Sequence, residues 1–127
     1  FTKEFDMTWS HSAAGVAFFK RRIESKSSFI FIASDREKTV GYILIRIEKF
    51  TWRAFNPIAD VGNLSVDPEY RGKGIGTKLF AEAKAEARKR GAIRMSVQAL
   101  AGNTRALKFY KTNGFTDFDV ALLMDIE

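Results

Sequence analysis

Residues 66–77 read Val66-Asp67-Pro68-Glu69-Tyr70-Arg71-Gly72-Lys73-Gly74-Ile75-Gly76-Thr77, a glycine-rich turn between an apolar, branched run and a long helical pattern. Glycines at 72, 74 and 76 let the backbone turn sharply and bring amide N–H groups against a ligand. The helix that follows opens with orphan N–H donors and about half a positive charge. Such a turn is an anion site suited to phosphates, and Arg71 and Lys73 add full charges. Spacing narrows the choice. A dinucleotide fingerprint needs G-x-G-x-x-G and a Walker loop needs G-x-x-x-x-G-K-[ST]; neither frame is present.

Working outward, residues 58–66 read as a strand, with Gly62 marking a bulge or a close backbone approach. Ile75, Leu79, Ala83 and Ala87 form the apolar stripe of a helix from 75 to about 90, with Lys78, Glu82 and Glu86 outside and Gly91 ending it. A strand over 93–99 and a helix from 103 to about 112, stopped by Asn113-Gly114, follow. Residues 115–118 and 120–126 read as final strands. Between them Asp117 to Val120 offers no Gly, Pro or Asn for a turn. Either residues are missing near 117–120 or this stretch is one bent strand. Upstream, helical spacing of Ala13, Val16, Ala17, Lys20 and Ile23 predicts a helix over 10–25 with Ser10 as N-cap. Residues 29–33 and 40–50 read as an antiparallel hairpin around a polar turn at 34–39, before a loop over 51–57. In the second strand Tyr42, Leu44 and Arg46 face one way, and Ile43, Ile45 and Ile47 the other.

The 127 residues predict one domain, and no apolar run approaches a membrane span. With no cysteine, disulfides and thiolate chemistry are excluded; with one histidine, His11, so is a multi-histidine metal site. The formal charge of +6 is local: residues 67–94 hold eight Lys or Arg against four Asp or Glu. That favours a small phosphorylated ligand over nucleic acid or a membrane. Lys84, Arg88, Lys89, Arg90 and Arg94 would form a nucleic-acid patch, but Glu82 and Glu86 interrupt that region and no reading motif accompanies it.

Residues 66–77 closely resemble the acetyl-CoA signature of the GNAT superfamily of N-acetyltransferases: a strand, an Asp-Pro-x-Tyr turn, then Arg-Gly-x-Gly-x-Gly. Asn103, Ala106, Phe109, Tyr110 and Gly114-Phe115 resemble its second signature, in the same order and at the expected separation. The resemblance runs from about 29 to 116. It implies an α/β (α+β) fold: a mixed, mostly antiparallel sheet flanked by helices, its middle strands splayed near Gly62 and Val97. It also implies a strand and a helix ahead of 10–25. Only 28 residues precede Phe29, so the usual first strand is expected to be absent and the single domain, 1–127, incomplete at its N-terminal part.

The activity implied is acetyl transfer from acetyl-CoA to a primary amine, by direct attack through a tetrahedral intermediate. The amides and side chains of Arg71, Gly72, Lys73, Gly74, Ile75, Gly76 and Thr77 would hold the pyrophosphate. Leu64, Ser65 and Val66 would pair with the pantetheine arm, the Leu64 N–H serving as a small oxyanion hole. Tyr110 matches the general acid and Asn103 a CoA-contacting asparagine that also suits a helix N-cap. Asp60 is the candidate base and His11 a second. Trp9, Phe18 and Phe19 are candidates for lining the acceptor pocket. No metal, nucleic acid or membrane is expected as a partner; a homodimer and a cytoplasmic setting are. The alternative is a non-catalytic CoA-binding or interaction module on the same fold.

Overall fold

In the computed structural model, which describes residues 2–5, 17–23, 27–49 and 57–127, one mixed sheet carries the molecule. Its strands, in spatial as in chain order, are β1 (Thr2–Phe5), β2 (Ala17–Ile23), β3 (Ser28–Asp35), β4 (Lys38–Glu48), β5 (Ile58–Val66) and β6 (Arg94–Val97). Every neighbouring pair is antiparallel except β5–β6, which is parallel and joined through the helix α1 (Ile75–Lys89). A second helix, α2 (Thr104–Thr112), follows β6.

The alternation in β4 sets the two faces. Ile43 and Ile45 are fully buried toward α1, with Phe29, Phe31 and Ala33 of β3 and Ala59 and Val61 of β5 on the same side. The stripe Ile75, Leu79, Ala83 and Ala87 closes this core from the helix side. Each large side chain so buried contributes about 1.5–3 kcal/mol. The β3–β4 hairpin forms as its alternation dictates, with the turn tightened to Arg36–Glu37.

Four expectations are corrected. The helix over 10–25 is, across Ala17–Ile23, the strand β2, paired from Ala17↔Ser34 to Arg21↔Ile30; residues 10–16, 24 and 25 lie outside the described residues. The aromatic pair Phe18-Phe19 suits a strand, and pairing with the edge of β3 outweighs a helical spacing of small residues. A strand does precede it: β1 pairs with β2 from Thr2↔Ile23 to Phe5↔Lys20. Residues 115–118 and 120–126 form no strand, because a strand needs a neighbour to complete its ladder and neither segment has one among the described residues.

Glu86, expected outside α1, is instead only 5% exposed. Its Oε2 accepts from Arg90 Nε at 3.0 Å, Arg90 Nη1 donates to the Ser28 carbonyl at 3.3 Å, and the guanidinium stacks 4.5 Å from the Phe29 ring centre. The pair thus pins the last turns of α1 to β3. Glu86→Ala would remove the carboxylate that balances Arg90 in an apolar setting, so stability should fall by about 3–5 kcal/mol. Chemical denaturation reads this; a loss below about 1 kcal/mol would remove the pair as a helix-to-sheet anchor.

Candidate functional site

The parallel ladder between β5 and β6 is short. It runs from Ile58↔Arg94 to Val61↔Val97 and stops, while β5 continues to Val66 beside β4. The sheet therefore forks after Val61 and Val97, at the place the family resemblance implied. Gly62 is the extra residue of a β-bulge: Leu44 pairs with Asn63 and Ile45 with Val61, leaving Gly62 opposite no partner. Arg46 crosses over it, so that a Cβ at Gly62 would lie 3.1 Å from Nη1. The bulge resets the strand's alternation. Ala59 and Val61 face α1 before it, Leu64 and Val66 pack on the same core after it, and Asp60 and Asn63 fall on the opposite face.

Beyond the fork β5 offers a half-paired edge. The Asp67 N–H donates to the Val40 carbonyl at 2.8 Å, so by the alternation of an antiparallel ladder Ser65 turns its backbone to β4, and Leu64 and Val66 turn theirs to the open side. Arg71 reports the same geometry: its Nε donates to the Val66 carbonyl from that side at 3.0 Å.

The edge leads into the glycine-rich turn. Pro68–Tyr70 make one 3-10 turn, and Tyr70 braces it. The Tyr70 hydroxyl donates to Asp35 Oδ2 at 2.6 Å, while Lys73 and Lys38 sit 5.3 and 5.6 Å from its ring centre. That hydrogen bond, and then burial, hold the phenol above its ordinary pKa. Gly74 caps α1 with φ +84°, in the left-handed region, and supplies no side-chain cap; the first turn holds no acid. The orphan N–H groups of Gly74, Ile75, Gly76 and Thr77 therefore point outward together. A Cβ at Gly76 would lie 3.4 Å from the Phe109 ring and 3.8 Å from Val66 Cγ2, so this glycine brings β5, α1 and α2 into contact.

On the face opposite α1, Asp60 sits just inside the fork. Its Oδ2 lies 3.2 Å from Arg46 Nη2 and its Oδ1 accepts from Ser96 Oγ at 2.9 Å. Beside it, Asn63 Nδ2 donates to the Tyr42 hydroxyl at 2.8 Å. A carboxylate offers about four lone-pair sites, so these donors leave Asp60 room for a further partner.

Tyr110 is half-buried on α2, its ring 5.6 Å from those of Phe109 and Phe115. Burial pushes its phenol above the ordinary tyrosine value and keeps it protonated. Asn103 caps α2, its Oδ1 accepting from the Ala106 N–H at 3.2 Å.

Of the expected site residues, the fold joins Leu64, Val66, Arg71 and Gly74–Thr77 into one continuous edge and turn, with Asp60 at its root. Gly72 and Lys73 lie on that turn, and Asn103 and Tyr110 on α2. Trp9 and His11 lie outside the described residues, and Phe18 and Phe19 belong to β2. The sequence reading missed Arg46, Ser96 and the Tyr70–Asp35 brace. The strand alternation that put Arg46 beside Tyr42 and Leu44 was a signal for the first; Ser96 meets Asp60 only through the parallel register.

This donor set suits CoA. Orphan amides and cations meet a pyrophosphate, open space in front of Gly72 and Gly74 leaves room for it, and a half-paired strand edge meets an amide-bearing arm. Among the described residues no cluster of three or more His, Cys, Asp or Glu could hold a metal ion, and no helix is long and apolar enough to cross a membrane.

Comparison with known proteins agrees. The family model for the Acetyltransferase (GNAT) family matches residues 1–115. An uncharacterised N-acetyltransferase of Bacillus subtilis is 30% identical over 91% of this chain and 76% of its own length. One of Methanocaldococcus jannaschii is 29% identical over 81% of this chain and 46% of its own. A thialysine N-epsilon-acetyltransferase of Bos taurus is 34% identical over 65% of this chain and 47% of its own. The chain thus spans about half the length of the last two. Among solved structures, a putative acetyl transferase from Pyrococcus furiosus superposes with a TM-score of 0.71 at 27% identity, over 78% of this chain and 66% of that one. An aminoglycoside N-acetyltransferase in complex with CoA superposes at 0.73 and 18% identity, over 83% and 70%, a likeness of fold.

Proposed function

Because the chain belongs to the GNAT acetyltransferase family, we propose that it transfers the acetyl group of acetyl-CoA to a primary amine. The observation that carries this reading is the fork: a half-paired strand edge that runs directly into four uncapped helix amides. The thioester supplies an activated acyl group; this chain's residues bind and orient it and move the protons. Amides from Gly74 to Thr77, with the backbone of Gly72 and the cations Arg71 and Lys73, hold the pyrophosphate. Leu64 and Val66 pair with the pantetheine arm, with Ser65 between them, and the Leu64 N–H polarises the thioester carbonyl. Asn103, besides capping α2, contacts CoA.

The neutral amine attacks the carbonyl carbon, giving a tetrahedral intermediate from which the C–S bond breaks. Tyr110 gives its phenolic proton to the leaving thiolate. Asp60, oriented by Arg46 and Ser96, takes the proton lost by the amine. The reading includes a cytoplasmic setting, where acetyl-CoA is at hand.

Thiol release from acetyl-CoA, followed across a panel of small amines, polyamines and peptides, tests the proposal. Saturable turnover with at least one amine supports it. Tight acetyl-CoA binding with no turnover on any member would assign a non-catalytic CoA-binding module instead.

The base has its own test. Asp60→Asn should lower kcat/KM for the amine by about 10²-fold at neutral pH, and the deficit should shrink as rising pH deprotonates the amine in solution. A deficit that stays constant with pH would leave Asp60 a purely structural partner of Arg46.

A further inference from the structure

The far end of the β3–β4 hairpin lies along the segment that leads into the glycine-rich turn, and it touches that segment repeatedly. Ala33 pairs with Gly41 and Ser34 with Thr39, so Val40 is the extra residue of a bulge. The Val40 carbonyl accepts from the Asp67 N–H at 2.8 Å. Gly41 stands against the half-paired edge itself. A Cβ there would lie 2.8 Å from the Ser65 carbonyl oxygen and 3.4 Å from Val66 Cα, so only glycine lets β4 approach this closely. Asp35 and Lys38 pair across the tight turn. Asp35 Oδ2 accepts from the Tyr70 hydroxyl at 2.6 Å, and Lys38 Nζ meets Glu69 Oε1 at 3.5 Å.

These contacts differ in weight. Both partners of the Lys38–Glu69 pair are more than half exposed, so it contributes little. The Tyr70–Asp35 bond is short and charge-assisted, and it joins positions 35 residues apart. Tyr70 also packs on the core, and its ring centre lies 5.3 Å from Lys73 Nζ. One side chain thus ties the hairpin to the turn and steadies a cation of that turn.

We propose that the hairpin end, residues 35–41, is the mould of the donor site. Asp35 and Tyr70 are positioning residues for the phosphates of acetyl-CoA, and Gly41 is one for its arm. The inference rests on the reading of this edge and turn as the acetyl-CoA site. Neither Asp35 nor Tyr70 has to touch the donor. Asp35 fixes Tyr70, Tyr70 fixes the Pro68–Tyr70 turn and Lys73, and the amides of Gly74 to Thr77 follow along the chain. A turn held in its binding shape beforehand loses less affinity to ordering. Gly41 acts elsewhere: it sets how far Ser65, and with it the open backbone of Leu64 and Val66, stands from β4.

NMR titration with CoA and with pantetheine, which keeps the arm and lacks the phosphates, separates these roles. Tyr70→Phe keeps the ring and removes the hydroxyl. Its affinity for CoA should fall about tenfold, the loss of one charge-assisted hydrogen bond, while its affinity for pantetheine stays within about twofold. Asp35→Ala should match it, and the double variant should lose no more than either single one. Asp35→Asn keeps an acceptor oxygen and should recover most of the loss. Gly41→Ala should weaken CoA and pantetheine by similar factors; unchanged pantetheine affinity removes Gly41 from the mould. A Tyr70→Phe protein that binds CoA as the parent does, or loses CoA and pantetheine in equal proportion, overturns the inference, as does a double variant whose losses add. A parent that binds no CoA would instead overturn the reading of the site beneath it, so the two failures are told apart.

Discussion

Tyr110→Phe will lower turnover by about 10²–10⁴-fold while changing acetyl-CoA affinity by less than about twofold. The substitution removes one hydroxyl and keeps the ring, so the packing against Phe109 and Phe115 survives. What is lost is the group proposed to give its proton to the leaving thiolate. The raised phenol pKa supplies a second readout. The acid stays protonated beyond the ordinary value of 10.0, so the descending limb of the parent's kcat profile should lie above that value. In the Phe variant that limb should vanish. The sign for stability follows from the same shift. The folded phenol holds its proton more tightly than the unfolded chain does, so its contribution is full below about pH 10 and is lost as pH rises through the raised value. Equal turnover in the parent and the Phe variant would remove Tyr110 as the acid.

Gly74→Val should weaken acetyl-CoA binding at least about 100-fold, equivalent to about 2.7 kcal/mol. Two effects combine. At φ +84° a β-branched residue is strained by about 1–2 kcal/mol, so the α1 cap shifts to relieve it. The new side chain also stands in space that is open in the parent, in front of the orphan amides of Ile75, Gly76 and Thr77. Titration calorimetry and thermal unfolding, run together, separate the two. Affinity should fall by more than the folding strain explains. If the variant loses stability and binds acetyl-CoA as the parent does, the pyrophosphate does not lie on this turn. Gly76 is a poorer probe of the same idea, because a bulky residue there would collide with the Phe109 ring and disturb the packing of α2.

How much of this was legible beforehand depends on how local each feature is. The β3–β4 hairpin, α1 and the Asn103 cap follow from spacing within a few residues, and all three stand where the sequence placed them. The bulge was legible too, since a glycine inside a strand marks a local irregularity, whereas the fork beside it was expected only from the family resemblance. What failed depended on distant partners. β2 is a strand because β3 lies beside it, and nothing within 17–23 states that. Glu86 is buried because Arg90 and the Ser28 carbonyl meet over Phe29, a contact spanning 62 positions. Asp60 acquires Ser96 only when two strands 36 positions apart come into parallel register. The last segment carries a strand's alternation without a turn before it or a neighbour beside it, so its pattern was readable and its placement was not.

The bulge at Gly62 makes β5 two rods joined at a joint. The first rod is gripped on both flanks by β4 and β6 and carries Asp60; the second is gripped on one flank and carries the edge of Leu64 and Val66. Because the extra residue absorbs the change in alternation, the two rods occupy separate sectors, to which the proposed function gives proton transfer at the amine and docking of the donor respectively. Side chains on the first rod's polar face can therefore be exchanged without displacing the backbone of the second rod, the part proposed to meet the thioester. On that proposal, the seat of the donor and the surroundings of the acceptor are separable parts of one strand.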